Sequence, residues 1–176
     1  MEYCYVLFTR TGFEVKVRTI LAERLDSNKY QPFVPNKVLT FRRHGVDKKE
    51  YEICFPGYVF IRSIFSPAQF LRKTFPTINL IKYAYKFLCY GDDRRDIAMR
   101  KTERIFLDSL LNDDFLIDES VGIIVGEKIR IVSGALVGME GMVKGIKRHR
   151  REALIELPIM DDIQLITVGL EIVERI

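Results

Sequence analysis

The sequence predicts an α+β protein in two parts: an N-terminal α/β sandwich, built from a small antiparallel sheet with helices, and a small five-stranded β-barrel. Three observations predict it. Strand-like and helix-like periodicities alternate over residues 1–111. After Gly126 helical periodicity disappears and short apolar runs succeed one another. Glycines at 126, 134, 138, 141, 145 and 169 punctuate those runs, as turn signals do between the strands of a small barrel.

Each element has its own signal. The run 4-CYVLFTR-10 is rich in β-formers and passes through Gly12 into 14-EVKVRTILAERL-25, where Val17, Ile20, Leu21 and Leu25 recur at helical spacing. Glu14 and Arg18 are spaced as an i,i+4 ion pair on that helix. The stretches 33-FVPNKVLTFRR-43 and 49-KEYEICF-55 read as strands around a polar turn at His44-Gly45, and 57-GYVFIRS-63 as a further strand. Ser66-Pro67 opens a helix, with a hydroxyl at the N-cap and Pro where its missing N–H costs nothing. That helix is expected to turn Phe70, Leu71 and Phe75 inward, and 78-INLIKY-83 reads as the strand after it. A second amphipathic helix is expected over 97-IAMRKTERIFLDSLL-111, with Ile105, Phe106, Leu110 and Leu111 along one stripe. The acidic segment 112–125 reads as a linker between a first domain, 1–111, and a second, 126–176. Strands of the second are expected at 128-KIRIV-132, 141-GMVKGI-146, 153-ALIEL-157, 163-IQLITV-168 and 170-LEIVERI-176.

Composition narrows the class. A chain 48% hydrophobic and 30% charged has the apolar content to bury a core, which excludes a largely disordered protein. No span approaches the roughly 20 apolar residues that cross a bilayer. The opening 1-MEYCYVLFTR-10 lacks the basic region of a signal peptide, so the chain is read as cytoplasmic, with no membrane partner. Cys4, Cys54 and Cys89 are odd in number and far apart, so they form no disulfide framework or zinc spacing; Cys4 and Cys54 read as small buried hydrophobes. Neither a Gly-rich phosphate cradle nor a nucleophile–base spacing is present. The expectation is therefore a non-enzyme without cofactor or metal, acting as a monomer.

The net charge of +4 is too small to diagnose a nucleic-acid partner, but its distribution is informative. In 144-KGIKRHRREALIEL-157, five Lys or Arg fall within eight residues, and no acid lies among them. The pattern reads as a strand, a turn at 148-RHRR-151 and a returning strand, with Lys144, Lys147, Arg148, His149, Arg150 and Arg151 exposed, since unpaired charges are not buried. A solvated tip is the common fate of such a run. Arginine, however, forks onto phosphates or guanine edges, and lysine attracts phosphate. A second basic loop, 41-FRRHGVDKKEY-51, is interleaved with Asp47 and Glu50, which leaves Arg42, Arg43 and Lys48 as weak nucleic-acid candidates.

Particular residues now carry a resemblance. The stretch 126-GEKIRIVSGALVGMEGMVKGI-146 resembles the KOW motif of SH3-like barrels, with Gly126, Val132, Gly134, Leu136, Gly141 and Val143 at its positions. Gly134 and Gly141 are expected at positive φ in tight corners, and the apolar positions between them are expected to plug the barrel end. The stretch 4-CYVLFTRTGFEVKV-17 resembles the opening of the NusG N-terminal domain, 33-FVP-35 its second strand and 55-FPGYVFI-61 its strongest signature. These stand in the order of the NusG family of transcription elongation factors, and the likeness spans nearly the whole chain.

That resemblance implies docking on the clamp of RNA polymerase through Phe55 and Tyr58, with Tyr5 and Phe8 on opposite faces of a neighbouring strand so that at most one helps. It also implies a position for Arg42, Arg43 and Lys48 near non-template DNA, and for the second domain near nascent RNA. The chain departs from the family in three places. Cys4-Tyr5 replaces Trp-Tyr, 134-GAL-136 replaces Gly-Pro-Phe, and 159-IMDD-162 stands where general members carry a Phe-Gly-Arg element used on termination factor or ribosome. Together with the basic run, these departures resemble a specialised paralog such as the LoaP group of operon-specific antiterminators. The expected partner of Lys144–Arg151 is then folded RNA, a hairpin or stem-loop, because the loop lacks aromatics for successive base stacking. Two alternatives remain: a general housekeeping elongation factor with the basic tip a bystander, and a ribosome-associated KOW protein.

Overall fold

The structure, a computed structural model, describes residues 1–176, with the side chain of Arg43 left outside that description. In chain order its first half holds β1 (Tyr3–Thr9), α1 (Glu14–Arg24), β2 (Tyr30–Phe33), β3 (Asn36–Arg43), β4 (Val46–Ile53), β5 (Tyr58–Ser63), α2 (Pro67–Ile78) and β6 (Ala84–Phe87). There follow α3 (Lys101–Leu110), β7 (Leu116–Ile117), β8 (Ser120–Val125), β9 (Lys128–Ser133), β10 (Val143–Lys147), β11 (Glu152–Ile159) and β12 (Asp162–Arg175). Contacts divide the chain into two compact units. One comprises Met1–Val34, Phe55–Arg104 and Ile159–Asp161; the other comprises Pro35–Cys54, Ile105–Pro158 and Asp162–Ile176.

The first unit is an antiparallel sheet of order β2-β5-β1-β6 with helices. Its strands are β-branched and aromatic, and β1 is buried from Cys4 to Leu7, so both faces of that strand are covered. On one face the Tyr5 ring stacks on Phe70 of α2 at 3.7 Å between centroids, while its hydroxyl donates to the Phe65 carbonyl at 2.6 Å. On the other, Phe60 packs against Phe33 and Phe55 at 5.5 and 5.4 Å. Each such aromatic burial contributes about 1.5–3 kcal/mol. Ser66 and Gln69 form a capping box at the start of α2, with Pro67 in the first turn.

The second unit holds two sheets. The hairpin β3–β4 pairs antiparallel along its whole length, and β7 adds to β3 in parallel. A five-stranded sheet of order β10-β11-β12-β8-β9 carries the core of Ile131, Leu136, Ile155, Leu157, Val168 and Leu170. Leu136 is fully buried and its N–H donates to the Ser120 hydroxyl at 3.0 Å, the expected plug. Gly134 has φ +95°, and an added Cβ there would lie 2.3 Å from the Glu119 carbonyl oxygen. Gly169 serves closeness instead of φ: a Cβ would meet the Glu119 side chain at 2.6 Å and the Val38 carbonyl of β3 at 3.0 Å.

Several expectations are corrected here. The five-stranded sheet is not a closed barrel: no ladder joins its edge strands β9 and β10 among the described residues, and the segment between them carries a 3-10 turn at Glu140–Met142. Gly141 lies in that turn without positive φ. The segment 112–125, read as a linker, supplies β7 and β8, the latter pairing with both β9 and β12. No strand occupies 78–83; α2 runs through Pro76, and i→i+3 bonds from Leu80 to Thr77 and Ile81 to Ile78 extend the turn, burying Ile78 and Ile81 three residues apart. An apolar run that short does not distinguish helix from strand by itself. Phe75 turns outward, 62% exposed. The third helix begins only at Lys101, because Ala98 bridges Tyr5 and Met99 N–H donates to the Cys4 carbonyl at 2.9 Å. Its buried positions are Leu107 and Leu110, while Ile105 faces solvent.

Candidate nucleic-acid interface

In the second unit, β10 and β11 pair antiparallel from Lys147↔Glu152 to Gly145↔Leu154, the register shifts before Val143↔Ile155, and a 3-10 turn of Arg148–Arg150 joins the strands. The turn closes through Arg151, in the left-handed region at φ 54° and ψ 45°, whose N–H donates to the Arg148 carbonyl at 3.1 Å. Lys147, Arg148, His149 and Arg150 all project into solvent. The hairpin with a cationic tip is thus as the sequence reading has it, but two of its six candidate residues are otherwise engaged. Lys144 pairs across the strands with Glu156 at 3.5 Å, both partly exposed.

Arg151 is the clearer correction. It is 25% exposed, and its guanidinium donates to Asp47 at 2.9 Å and approaches Glu171 at 3.5 Å. The hydrogen bond to Asp47, followed by the charge of Glu171, raises its pKa above the ordinary arginine value. It is a strut between β11, β12 and the β3–β4 hairpin, not a free phosphate ligand. Asp47 lies 104 residues away in the chain, so no local pattern announces this pairing. A second tie, Lys49 to Glu119 at 3.8 Å, holds the same hairpin, and β3 crosses close to Gly169.

The two basic loops, unrelated in sequence, therefore stand together. Thr40, Phe41 and Arg42 of β3 and His149, Arg150 and Arg151 line one cleft of about 250 Å³, with no carboxylate among its lining residues. Arg42 is 66% exposed there, with Asp47 only at 3.9 Å. A second, more open hollow, sharing His149 and Arg150 with the first, is lined also by Ile146, Lys147 and Arg148. Arg43 falls outside the described side chains, and Lys48 is exposed on β4 away from either lining set.

The aromatic candidates belong to the first unit. The FPGY signature forms a tight turn: Tyr58 N–H donates to the Phe55 carbonyl at 3.1 Å, and Gly57 holds φ +88° behind Pro56. Glu14, fully buried, accepts from Gly57 N–H at 2.6 Å and Gly12 N–H at 2.8 Å, so its carboxylate is a backbone lock instead of the surface partner expected for Arg18. The turn carbonyl of Gly57 accepts from Thr9 N–H at 2.7 Å. This geometry sends Phe55 into the core, 2% exposed, where it packs on Phe60; Tyr5 is wholly buried under Phe70. Neither offers a surface, which corrects the assignment of both as docking side chains. Phe8 and Tyr58, partners across β1 and β5, are part-exposed with rings 5.8 Å apart.

Tyr85, 55% exposed and 5.5 Å from Phe8, completes a row with Phe8 and Tyr58 and is the one of the three that the sequence reading missed. Its signal is hidden because the short apolar run 78-INLIKY-83 reads as the strand, whereas the strand lies at Ala84–Phe87. Tyr85 also borders an apolar groove of about 380 Å³ with Leu71, Phe75, Ile78 and Phe87. Elsewhere, Arg100 pairs doubly with Asp96 at 3.0 and 2.6 Å and Arg95 pairs with Asp93, so those two charges are locally neutralised. No helix of the structure is long and apolar enough to cross a membrane. No cluster of metal-ligating side chains occurs among the described residues.

Comparison with known proteins agrees with this architecture. The family model described as "Transcription termination factor nusG" matches residues 2–106. Transcription termination/antitermination proteins NusG of Streptococcus pyogenes serotypes M3 and M1 are 23% identical over 160 residues, covering 87% of this chain and 86% of theirs. A solved structure concerned with domain interaction in Thermotoga maritima NusG superposes with a TM-score of 0.51 at 17% identity, covering 97% of this chain and 93% of that one, a likeness of fold. Both parts of the sequence resemblance thus lie within matched regions, and the chain belongs to the NusG family of transcription termination and antitermination factors.

Proposed function

We propose that this chain is an operon-specific antitermination factor, which binds RNA polymerase with its first unit and a structured nascent RNA with its second. The observation that carries the reading is the exposed row Lys147, Arg148, His149 and Arg150 at the tip of the β10–β11 hairpin, which forms no ion pair among the described residues. Guanidinium groups there reach phosphates bidentately, and their solvent exposure means that binding incurs no prior burial cost. The polymerase contact falls to the aromatic row Phe8, Tyr58 and Tyr85 on the first unit. Exposed aromatics of this kind form interface anchors because they bury large area with few rotatable bonds. The turn at Met160-Asp161, both residues at positive φ, runs into Asp162, so Asp161 and Asp162 stand as two acids in place of a Gly-Arg pair and give a polyanion no attraction, which favours the specialised reading over a general factor.

The test is binding of the full-length chain to a pool of RNA stem-loops at two salt concentrations. Selection of a stem-loop that is lost on Arg148→Ala/Arg150→Ala supports the reading. Binding no stronger than to unstructured RNA, with the double variant unchanged, returns the turn to a solvated tip.

A further inference from the structure

We infer that the RNA-binding surface is bipartite: Arg42 on the β3–β4 hairpin is a phosphate ligand of the same RNA stem that the β10–β11 turn binds. The inference rests on the reading of that turn as an RNA contact and extends it to an element far away in sequence. Four observations carry it. Arg42 of one element and His149 and Arg150 of another line one cleft, and no acid is among its lining residues. Arg42 is largely exposed and holds Asp47 only loosely at 3.9 Å. Asp47 is instead drawn to Arg151 at 2.9 Å, which leaves the Arg42 guanidinium available. Finally, the hairpin is fastened in place by Arg151–Asp47, Lys49–Glu119 and the close passage of β3 by Gly169, so the cations on the two elements keep a fixed separation.

The chemistry of the cleft selects the ligand class. Its aromatic rings are the half-buried Phe41 and the single imidazole of His149, too few to form a platform for successive bases. Cations on two elements flanking a narrow cleft suit a backbone whose phosphates recur at fixed spacing, as in a duplex stem. Because the elements that carry these cations are fastened by tertiary contacts, less backbone freedom is lost on binding than for a flexible basic tail. Arg151 acts on RNA only through the position it gives Asp47 and the hairpin, and is a positioning residue.

The experiment measures binding of the full-length chain to a fluorescent RNA stem-loop selected from the pool, between 50 and 200 mM salt. The same sequence as a DNA duplex and as an unpaired strand serve as comparators. Arg42→Ala is expected to weaken stem binding about fivefold near 0.15 M salt and to lower the slope of log K against log salt by about one, the share of one phosphate contact. Arg150→Ala is expected to do the same, and Arg42→Lys, which keeps the charge, to restore most of the slope. If Arg150→Ala weakens binding while Arg42→Ala leaves affinity and slope at wild-type values, the bipartite surface is refuted and the turn alone binds RNA. If the wild-type chain selects no stem at all, the functional reading itself fails. Binding of the DNA duplex as tight as that of the RNA stem overturns the assignment to RNA.

Discussion

Glu14→Ala removes the carboxylate that ties the start of α1 to the turn before β5. Read as an exposed i,i+4 partner of Arg18, that side chain is worth only about 0.2–0.5 kcal/mol. The structure gives it a different role: a buried acceptor for Gly57 N–H at 2.6 Å and for Gly12 N–H at 2.8 Å. A hydrogen bond from a buried amide to a charged group contributes about 1.5–3 kcal/mol, and the bond from the more exposed Gly12 about 0.5–1 kcal/mol. Loss of both strands the Gly57 N–H in an environment closed to water, so the expected cost is about 2–4 kcal/mol. For a chain of this size that lowers Tm by roughly 5–15 °C. Urea unfolding followed by far-UV circular dichroism measures it, since the chain has no Trp to report by fluorescence. Arg18→Ala is the control and should change stability by less than about 0.5 kcal/mol. A Glu14→Ala cost as small as that of Arg18→Ala would refute the lock and restore the surface pair.

Other outcomes follow from the same contacts. Tyr58→Ala and Tyr85→Ala should reduce capture of core RNA polymerase with little change in melting temperature, whereas Phe55→Ala, emptying a core site, should cost about 3–5 kcal/mol in urea unfolding. Gly134→Ala places a Cβ 2.3 Å from a backbone oxygen at φ +95°, so thermal melts should show a loss larger than the ~1 kcal/mol of an ordinary strained glycine site. Burial pushes the Cys54 thiol up to about 12. Alkylation of the native chain at pH 8 should therefore mark Cys89, which is partly exposed, well before Cys54, as read by peptide mass spectrometry. The unfolded thiol ionises near about 8.5, so the folded chain holds the proton more tightly. Stability from this group is whole below that pH and is lost as pH rises toward the folded value.

What the sequence made legible and what it hid divide along contact distance. The cationic hairpin was readable because a strand, a charged turn and a returning strand lie within fourteen residues, 144–157, and obey one local rule. The plug at Leu136 and the corner at Gly134 were readable because steric need at a turn is also local. The fate of Arg151 was not, since Asp47 and Glu171 come from elements that only the tertiary fold brings to it. The same holds for Phe55: an aromatic in a signature turn is equally suited to a surface or a core, and only Gly57 and its lock by Glu14 decide which way it faces. Tyr85 was hidden by a different cause, a helix that continues through Pro76 where the residue before proline ordinarily leaves the helical region. The segment 112–125 looked like a linker because acids break its hydrophobic runs, yet Ser120–Val125 pairs on both edges.

The two proposed surfaces differ in kind, and salt should therefore separate them. Four exposed side chains carry charge to RNA in the bipartite reading: Arg42, Lys147, Arg148 and Arg150. With each phosphate contact contributing about −0.9 to the log–log salt slope, four contacts lose on the order of 100-fold in affinity between 50 and 200 mM. The aromatic row Phe8, Tyr58 and Tyr85 owes its binding to apolar burial, which such salt barely alters. When both contacts act at once, the tether converts the second into an intramolecular event, so each needs only moderate affinity alone. The consequence is measurable in a transcription assay on a template whose leader encodes the selected stem. Raising salt should abolish the stem-dependent part of terminator readthrough while the factor still co-purifies with polymerase. If readthrough and polymerase binding instead decline together, one contact serves both, and the division of labour between the two surfaces is wrong.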